Sequence, residues 1–302
     1  MNAKITVLGT SCSNPTKERN LSSVSLEFAG KTLLFDCPEG TQRQMMKAGV
    51  SYMAVDYVFI SHFHADHVLG LPGLLATMGM QGRDWPLHIF GPRGIERQIG
   101  KVLSLGLLRQ NFEIVCHEAR NAEILGEKDF CVGAVELKHE VQCFGYVFRE
   151  NDKSGEFQRK WAEKLGIPEG PLWSRLQKGE TVEAGGKTFR PADVMDYSKG
   201  RKGRKISIIM DTLPDEKYFN AIMDSDILVH ESSFLHKDIE RALETKHSTA
   251  KQAAEVAKKT NAKKLLLLHI SPRYRGEKEM EAEAKKVFPH AVVAKDLMQM
   301  EF

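Results

Sequence analysis

Hydrophobic residues in the first half of the chain come in short runs separated by polar loops. The runs at 5–8, 24–28 and 32–35 are rich in Val, Leu and Phe and predict strands. Residues 57–60 form an apolar run too short for a helix, which predicts a buried strand. Further strands are predicted at 87–90, 113–117, 134–139 and 144–149, and helices over 40–48, 72–80 and 94–105. Pro72 falls in a first helical turn, where a missing N–H costs little. After residue 205 core-like sequence resumes, with strands at 206–210, 227–229 and 265–268 and helices between them. Thr249 and Gln252 have the spacing of a capping box, and Ala250, Ala253, Ala254 and Ala257 follow at helical spacing. The order is mostly β first, then alternating βαβ, which predicts an α/β fold. No repeat at a solenoid or propeller period is visible.

Residues 150–205 break this pattern. They hold eight glycines and three prolines, and their apolar periodicity is weak. Between 151 and 205 there are 13 Lys+Arg against 8 Asp+Glu, an excess of +5 in a chain of net charge +3, so the remainder is slightly acidic. This predicts a flexible basic arm inserted into a core formed by 1–149 and 206–302, an electrostatic handle for a polyanion. At 42% hydrophobic and 27% charged, the 302-residue chain can bury a substantial core. No apolar run approaches the roughly 18 residues of a membrane span, and the N-terminus lacks a signal-peptide pattern. The five cysteines are scattered and odd in number, with no CxxC, which predicts reduced thiols in a cytoplasmic protein.

The candidate chemistry begins at Ile60-Ser61-His62-Phe63-His64-Ala65-Asp66-His67. In an extended segment His62 and His64 point the same way and could converge on one metal, while Asp66 and His67 could face a second. One histidine alone would read as a cap or core residue; four potential ligands in six residues after a buried strand read as a site for zinc or a similar first-row ion. His139, Asp211 and His269 each close a predicted apolar strand. A buried, unpaired polar group there would be costly, and shared metal coordination explains all three together.

This set resembles the metallo-β-lactamase superfamily over nearly the whole chain. The resemblance implies an αβ/βα sandwich with a metal site at one sheet edge. It implies two zinc ions per chain, or another first-row divalent ion: His62, His64 and His139 on one, Asp66, His67 and His269 on the other, and Asp211 bridging. Asp36, which ends a strand, is a candidate to orient a ligand from behind, or a plain turn residue. Four further features resemble the ribonuclease Z family. They are the Pro15-Thr16-Lys17-Glu18-Arg19-Asn20 loop, Gly70-Leu71-Pro72-Gly73-Leu74, His247-Ser248-Thr249, and Gly170-Pro171 within the basic arm. Met210-Asp211-Thr212 and His230-Glu231-Ser232-Ser233 depart from that family's usual Gly-Asp-Thr and His-Glu-Ala-Thr.

What the resemblance implies is a phosphodiester hydrolase that removes the 3′ trailer from precursor tRNA. The expected products are a tRNA with a 3′-hydroxyl and a trailer with a 5′-phosphate. Asp66 would orient or deprotonate the attacking water, and His247, partnered by Glu231, would protonate the leaving oxygen. His247 lies just before a helix N-terminus, whose partial positive charge disfavours imidazolium, so a carboxylate must compensate. Lys17, Arg19, Asn20, Gly170, Pro171, Arg273 and Tyr274 are the candidate RNA contacts. The family implies a homodimer in which one subunit's arm serves the other's active site, and no membrane partner. Two other readings stay open on sequence. One is a superfamily hydrolase of small phosphodiesters or sulfate esters, for which a basic arm is superfluous. The other is an RNA-binding module with a structural metal.

Overall fold

The computed structural model describes residues 3–105 and 111–302. Its frame is two seven-stranded sheets. The first runs in the order Gln299–Glu301, Lys4–Gly9, Ser23–Phe28, Lys31–Phe35, Val55–Phe59, Leu87–Gly91 and Ile114–Glu118. It is antiparallel up to Lys31–Phe35 and parallel from there on. The second runs Ala291–Val293, Leu265–Leu268, Ile227–Glu231, Lys205–Ile209, Cys143–Glu150, Phe130–Leu137 and Ala122–Gly126. Its first four strands are parallel.

Strand alternation divides the apolar side chains into three layers. Val7, Leu26, Phe35 and Phe59 of the first sheet meet Phe144, Tyr146, Ile208, Val229 and Leu268 of the second in a central core. Outside the first sheet, Leu34, Val58 and Ile89 pack under Met45, Leu74, Leu75 and Ile99 of the helices Thr41–Ala48, Leu71–Met80 and Ile95–Leu103. Outside the second, Ile209, Leu228, Leu265 and Leu267 pack under Tyr218 and Ile222 of helix Glu216–Ile222. The alanine face of helix Ala250–Lys259 joins the same layer. Leu265–Leu268 is apolar at every position because both its faces are covered. The result is the helix–sheet–sheet–helix sandwich expected of the αβ/βα class.

The predicted strands and helices are present with shifted ends. Ala122–Gly126, Ala291–Val293 and Gln299–Glu301 were not anticipated; they are short edge strands with weak alternation. The strand expected to close on His139 ends instead at Leu137.

Arg149–Arg204 forms a separate compact unit. Its apolar periodicity is weak in the sequence, yet the segment has its own core of Ala162, Ile167, Trp173, Leu176, Val182, Phe189 and Val194. Its elements are too short for a visible period: helices of six and seven residues and strands of two and three. Gly170 has φ 132°, open to glycine alone, and Pro171 starts the helix Pro171–Gln177. At the base of the unit, a Cβ on Gly203 would stand 1.7 Å from the Glu150 carbonyl oxygen, so only glycine lets the two chain segments lie this close.

Candidate metal centre and active site

Parallel strands share one C-terminal edge, and polar residues just beyond their ends meet there. Asp36 follows Lys31–Phe35, His62 and His64 follow Val55–Phe59, and Asp211 follows Lys205–Ile209. Glu231 ends its strand and His269 follows Leu265–Leu268. The segment carrying His62 is fixed across the sandwich, since Tyr146 Oη donates to the Ile60 carbonyl at 2.6 Å and Phe144 N to that of Ser61 at 2.9 Å. Asp66 and His67 do not continue the extended run; they sit on the one-turn helix Ala65–Val68, with the His67 ring 4.1 Å from that of His62. The close approach of Gly70 to the Pro38 carbonyl, where a Cβ would be 2.0 Å away, closes this turn against residues 37–38.

Three groups of ligand atoms result, each within 4.8 Å: one is Asp211, His247 and His269, and the two that follow the expected ligand sets are His62, His64, His139 and Asp211, and Asp66, His67 and His269. Asp211 turns one oxygen to each of the latter two. Its Oδ2 is 3.7 Å from His62 Nε2 and 3.9 Å from His139 Nε2. Its Oδ1 is 3.5 Å from His67 Nε2 and 3.2 Å from His269 Nε2. Asp66 Oδ2 is 3.6 Å from both His67 Nε2 and His269 Nε2. His62 Nε2, His67 Nε2, His269 Nε2 and Asp211 Oδ1 are buried without a hydrogen-bond partner. Orphan polar atoms at this density are uncommon in a folded interior, and here they converge. A divalent cation is the group they fit.

Behind these atoms lies a layer of hydrogen bonds that fixes the rings. Asp36, at φ 57°, accepts from Ser61 N at 2.7 Å and Ser61 Oγ at 2.8 Å, and its Oδ2 is 2.7 Å from His67 Nδ1. His67 thereby keeps Nε2 toward the cluster. Ser61 Oγ also lies 3.0 Å from His62 Nδ1. Ser233, quoted from the sequence without a role, has its hydroxyl 3.1 Å from His269 Nδ1 and 2.7 Å from Glu231 Oε2. No sequence signal distinguished Ser61 or Ser233 from the many serines that cap helices.

Glu231 is fully buried and paired with His247, whose Nδ1 is 2.9 Å from Oε1. The carboxylate also accepts from Thr212 N at 2.9 Å and Ser233 N at 3.1 Å. Burial works against charge on both groups, but their mutual attraction outweighs it. Glu231 is held below the usual carboxylate range, and His247 is pushed up to about 9. Thus the carboxylate required opposite the helix beginning at Ala250 is present. Thr249 caps that helix, and its box with Gln252 is formed. The His247 ring lies 5.2 Å from that of His139 and 5.5 Å from that of His269, at the edge of the ligand cluster.

The candidate RNA contacts are more dispersed. Lys17 is exposed at the tip of its loop. Arg19 pairs with Glu277 at 3.5 Å, and Asn20 donates through Nδ2 to the Glu39 carbonyl at 3.1 Å, so both already have partners within the chain. Arg273 is exposed, its guanidinium 5.1 Å from the Phe234 ring centre. Tyr274 is half-buried; its hydroxyl pairs with Asp238 and accepts from Leu235 N at 3.1 Å. Gly170 and Pro171 belong to the separate Arg149–Arg204 unit.

Among known proteins, the ribonuclease Z of Methanosarcina acetivorans is 44% identical to this chain over 99% of its length and 97% of the relative's. The chain belongs to the ribonuclease Z family. Human tRNase Z, short form, superposes with a TM-score of 0.71 at 26% identity, over 98% of each chain. The metallo-β-lactamase fold protein YhfI of Bacillus subtilis gives the same TM-score at 18% identity, over 100% of this chain and 99% of that one, and shows the shared fold. A family model described as Anti-Pycsar protein Apyc1 matches residues 3–139. That match takes in the ligand motif through His139 but not Asp211, the Glu231–His247 pair or His269. Ribonuclease Z membership covers the whole chain, and with it the protein is a metal-dependent endoribonuclease that processes tRNA 3′ ends. No helix among the described residues is long and apolar enough to cross a membrane.

Proposed function

We propose that this member of the ribonuclease Z family removes the 3′ trailer from precursor tRNA in the cytoplasm, as a homodimer holding two zinc ions per chain. The observation that carries this reading is the edge cluster itself. Buried, unpartnered imidazole and carboxylate atoms surround Asp211, with the Glu231–His247 pair beside them. His62, His64 and His139 would hold one ion, Asp66, His67 and His269 the other, and Asp211, with an oxygen toward each group, would serve both. When bound, the ions supply Lewis acidity, offsetting charge on the phosphate and acidifying water.

The chain's own residues do the rest. Asp66 orients the attacking water and takes its proton as the water oxygen bonds to phosphorus. The bond from phosphorus to the tRNA 3′-oxygen breaks, and His247 delivers a proton to that oxygen from Nε2. Glu231 holds the other ring nitrogen, which fixes the ring and favours its charged form. The tRNA leaves with a 3′-hydroxyl and the trailer with a 5′-phosphate. Lys17 and Arg273 are placed on exposed loops that can meet backbone phosphate, and Arg149–Arg204 supplies the basic surface for the tRNA body. In the homodimer that surface serves the partner's active site.

The test is selectivity. Zinc-loaded protein is expected to show a far higher kcat/KM for precursor tRNA than for a small chromogenic phosphodiester. Equal or reversed preference would favour a small-molecule hydrolase.

A further inference from the structure

Asp296 lies between the strands Ala291–Val293 and Gln299–Glu301, 230 positions from Asp66 in sequence. Its carboxylate gathers three donors from three separate segments. Thr10 Oγ1 donates to Oδ1 at 2.8 Å, and Asn20 N and Gln44 Nε2 donate to Oδ2 at 2.6 and 2.9 Å. Thr10 and Asn20 are the two ends of the loop that bears Lys17. Thr10 N and Ser11 N both donate to the Asn20 carbonyl, at 2.9 and 2.8 Å, so the carboxylate closes a loop whose base is already narrow. Gln44 is buried and also donates to the Leu8 carbonyl at 2.7 Å, which ties the carboxylate to the first sheet.

From this closed base the loop reaches the metal centre in two places. Cys12 N donates to the Ile270 carbonyl at 3.0 Å and Ile270 N to the Thr10 carbonyl at 2.8 Å, stitching the stem to the residue after His269. Ser13 has φ 60°, a conformation that a residue with a side chain holds only when its surroundings impose it. In that conformation its N–H donates to Asp66 Oδ2 at 2.8 Å. The same oxygen faces His67 Nε2 and His269 Nε2.

We infer that Asp296 is a positioning residue for Asp66: by closing the loop between Thr10 and Asn20 it holds the Ser13 N–H against the Asp66 carboxylate. The inference rests on Asp66 belonging to the metal centre. The chemistry explains why an aspartate stands at 296. Three donors need two acceptor oxygens, and charge strengthens each bond. An asparagine could keep its oxygen toward Asn20 N and Gln44 Nε2 and donate from its amide to Thr10 Oγ1, so it removes the charge from all three bonds and reverses one, whereas an alanine leaves all three donors without an acceptor. The Arg19–Glu277 contact on the outer side of the loop is a longer, partly exposed ion pair at 3.5 Å, and such pairs hold little.

The test uses the full chain and two readouts that do not require RNA. Zinc affinity is measured by competition with a chelator, and kcat and KM are measured on a small chromogenic phosphodiester. Asp296→Ala should weaken zinc binding about tenfold, the scale seen when a residue supporting a metal ligand is lost, and Asp296→Asn should fall between it and wild type. Asp296→Ala should lower kcat on the small substrate with KM little changed. Thr10→Val removes one donor while keeping the shape, and should act in the same direction more weakly. Combined with Asp296→Ala it should add almost nothing, because Asp296→Ala already removes the acceptor of the Thr10 hydroxyl. Should Asp296→Ala fail to fold, Asp296→Asn and Thr10→Val decide the question. Wild-type zinc affinity and wild-type kcat on the small substrate, in a folded variant, would overturn the inference. So would a defect confined to KM for precursor tRNA, which would make the loop an RNA contact only. Failure of the wild-type protein to cleave precursor tRNA would sink the ribonuclease reading yet leave the zinc-affinity result decisive for Asp296.

Discussion

His247 Nδ1 stands 2.9 Å from Glu231 Oε1, and the carboxylate is held in turn by the backbone N–H groups of Thr212 and Ser233. Thr212 follows Asp211, so the backbone that carries the residue between the two ligand groups also holds the Glu231–His247 pair, the proposed proton donor. Glu231→Gln keeps the shape and removes the charge that favours imidazolium. It should lower kcat for precursor tRNA by about 100-fold to 10,000-fold, the usual weight of a general acid, with zinc content unchanged. His247→Ala should do the same, and the double variant should be no worse than the more damaged single one. Wild-type kcat for Glu231→Gln at saturating substrate would end this role.

A divalent cation bound among the orphan atoms His62 Nε2, His67 Nε2, His269 Nε2 and Asp211 Oδ1 would stabilise the fold as well as serve the reaction. Zinc binding only the folded chain raises its stability by mass action. Removal of metal with a chelator should therefore lower the melting temperature, and zinc should restore it. Elemental analysis of the loaded protein should give two ions per chain. Saturation at one would remove the assignment of Asp211 to both.

At the base of the basic unit, Glu150 is almost fully buried, accepts from Arg204 Nε at 2.7 Å and pairs with Arg201. Burial raises its pKa, but the two guanidinium hydrogen bonds outweigh that and hold it at about 2. A carboxyl depressed in the folded state stabilises it above the unfolded pKa, near 4.5, and loses that contribution as pH falls toward 2. Glu150→Gln should therefore melt lower than wild type at pH 7. The gap should narrow below pH 4.5 and close toward pH 2. A gap independent of pH would contradict the ion-pair origin.

The excess positive charge of residues 151–205 should serve binding more than chemistry. Deleting residues 155–200 and joining the ends with a short linker should raise KM for precursor tRNA steeply while hydrolysis of a small phosphodiester survives. Salt should also weaken binding less in the deletion variant, since fewer counterions are released. Unchanged precursor-tRNA kinetics would show that the tRNA body is gripped elsewhere.

The candidate metal cluster was legible because its residues follow strands whose apolar runs are unmistakable, and four of them fall within His62–His67. Asp211 and His269 could be read the same way, since a polar residue after Ile206–Ile209 or Leu265–Leu268 has few reasons to be there. Ser61, Ser233 and Asp296 were not legible. Their importance comes from partners brought close by folding, and nothing in their own neighbourhoods marks them. The internal core of Arg149–Arg204 was hidden for a related reason: Trp173, Val182 and Phe189 lie on elements shorter than the window in which a period can be seen.

The most direct measurement is to incubate zinc-loaded protein with a precursor tRNA carrying a 3′ trailer and to map both new ends. A single cut at the trailer junction is predicted, leaving a 3′-hydroxyl on the tRNA and a 5′-phosphate on the trailer, and Asp66→Ala should abolish it while tRNA binding persists. Cleavage leaving a 3′-phosphate, stepwise loss of single nucleotides from the 3′ end, or no cleavage by protein with a filled metal site would contradict it.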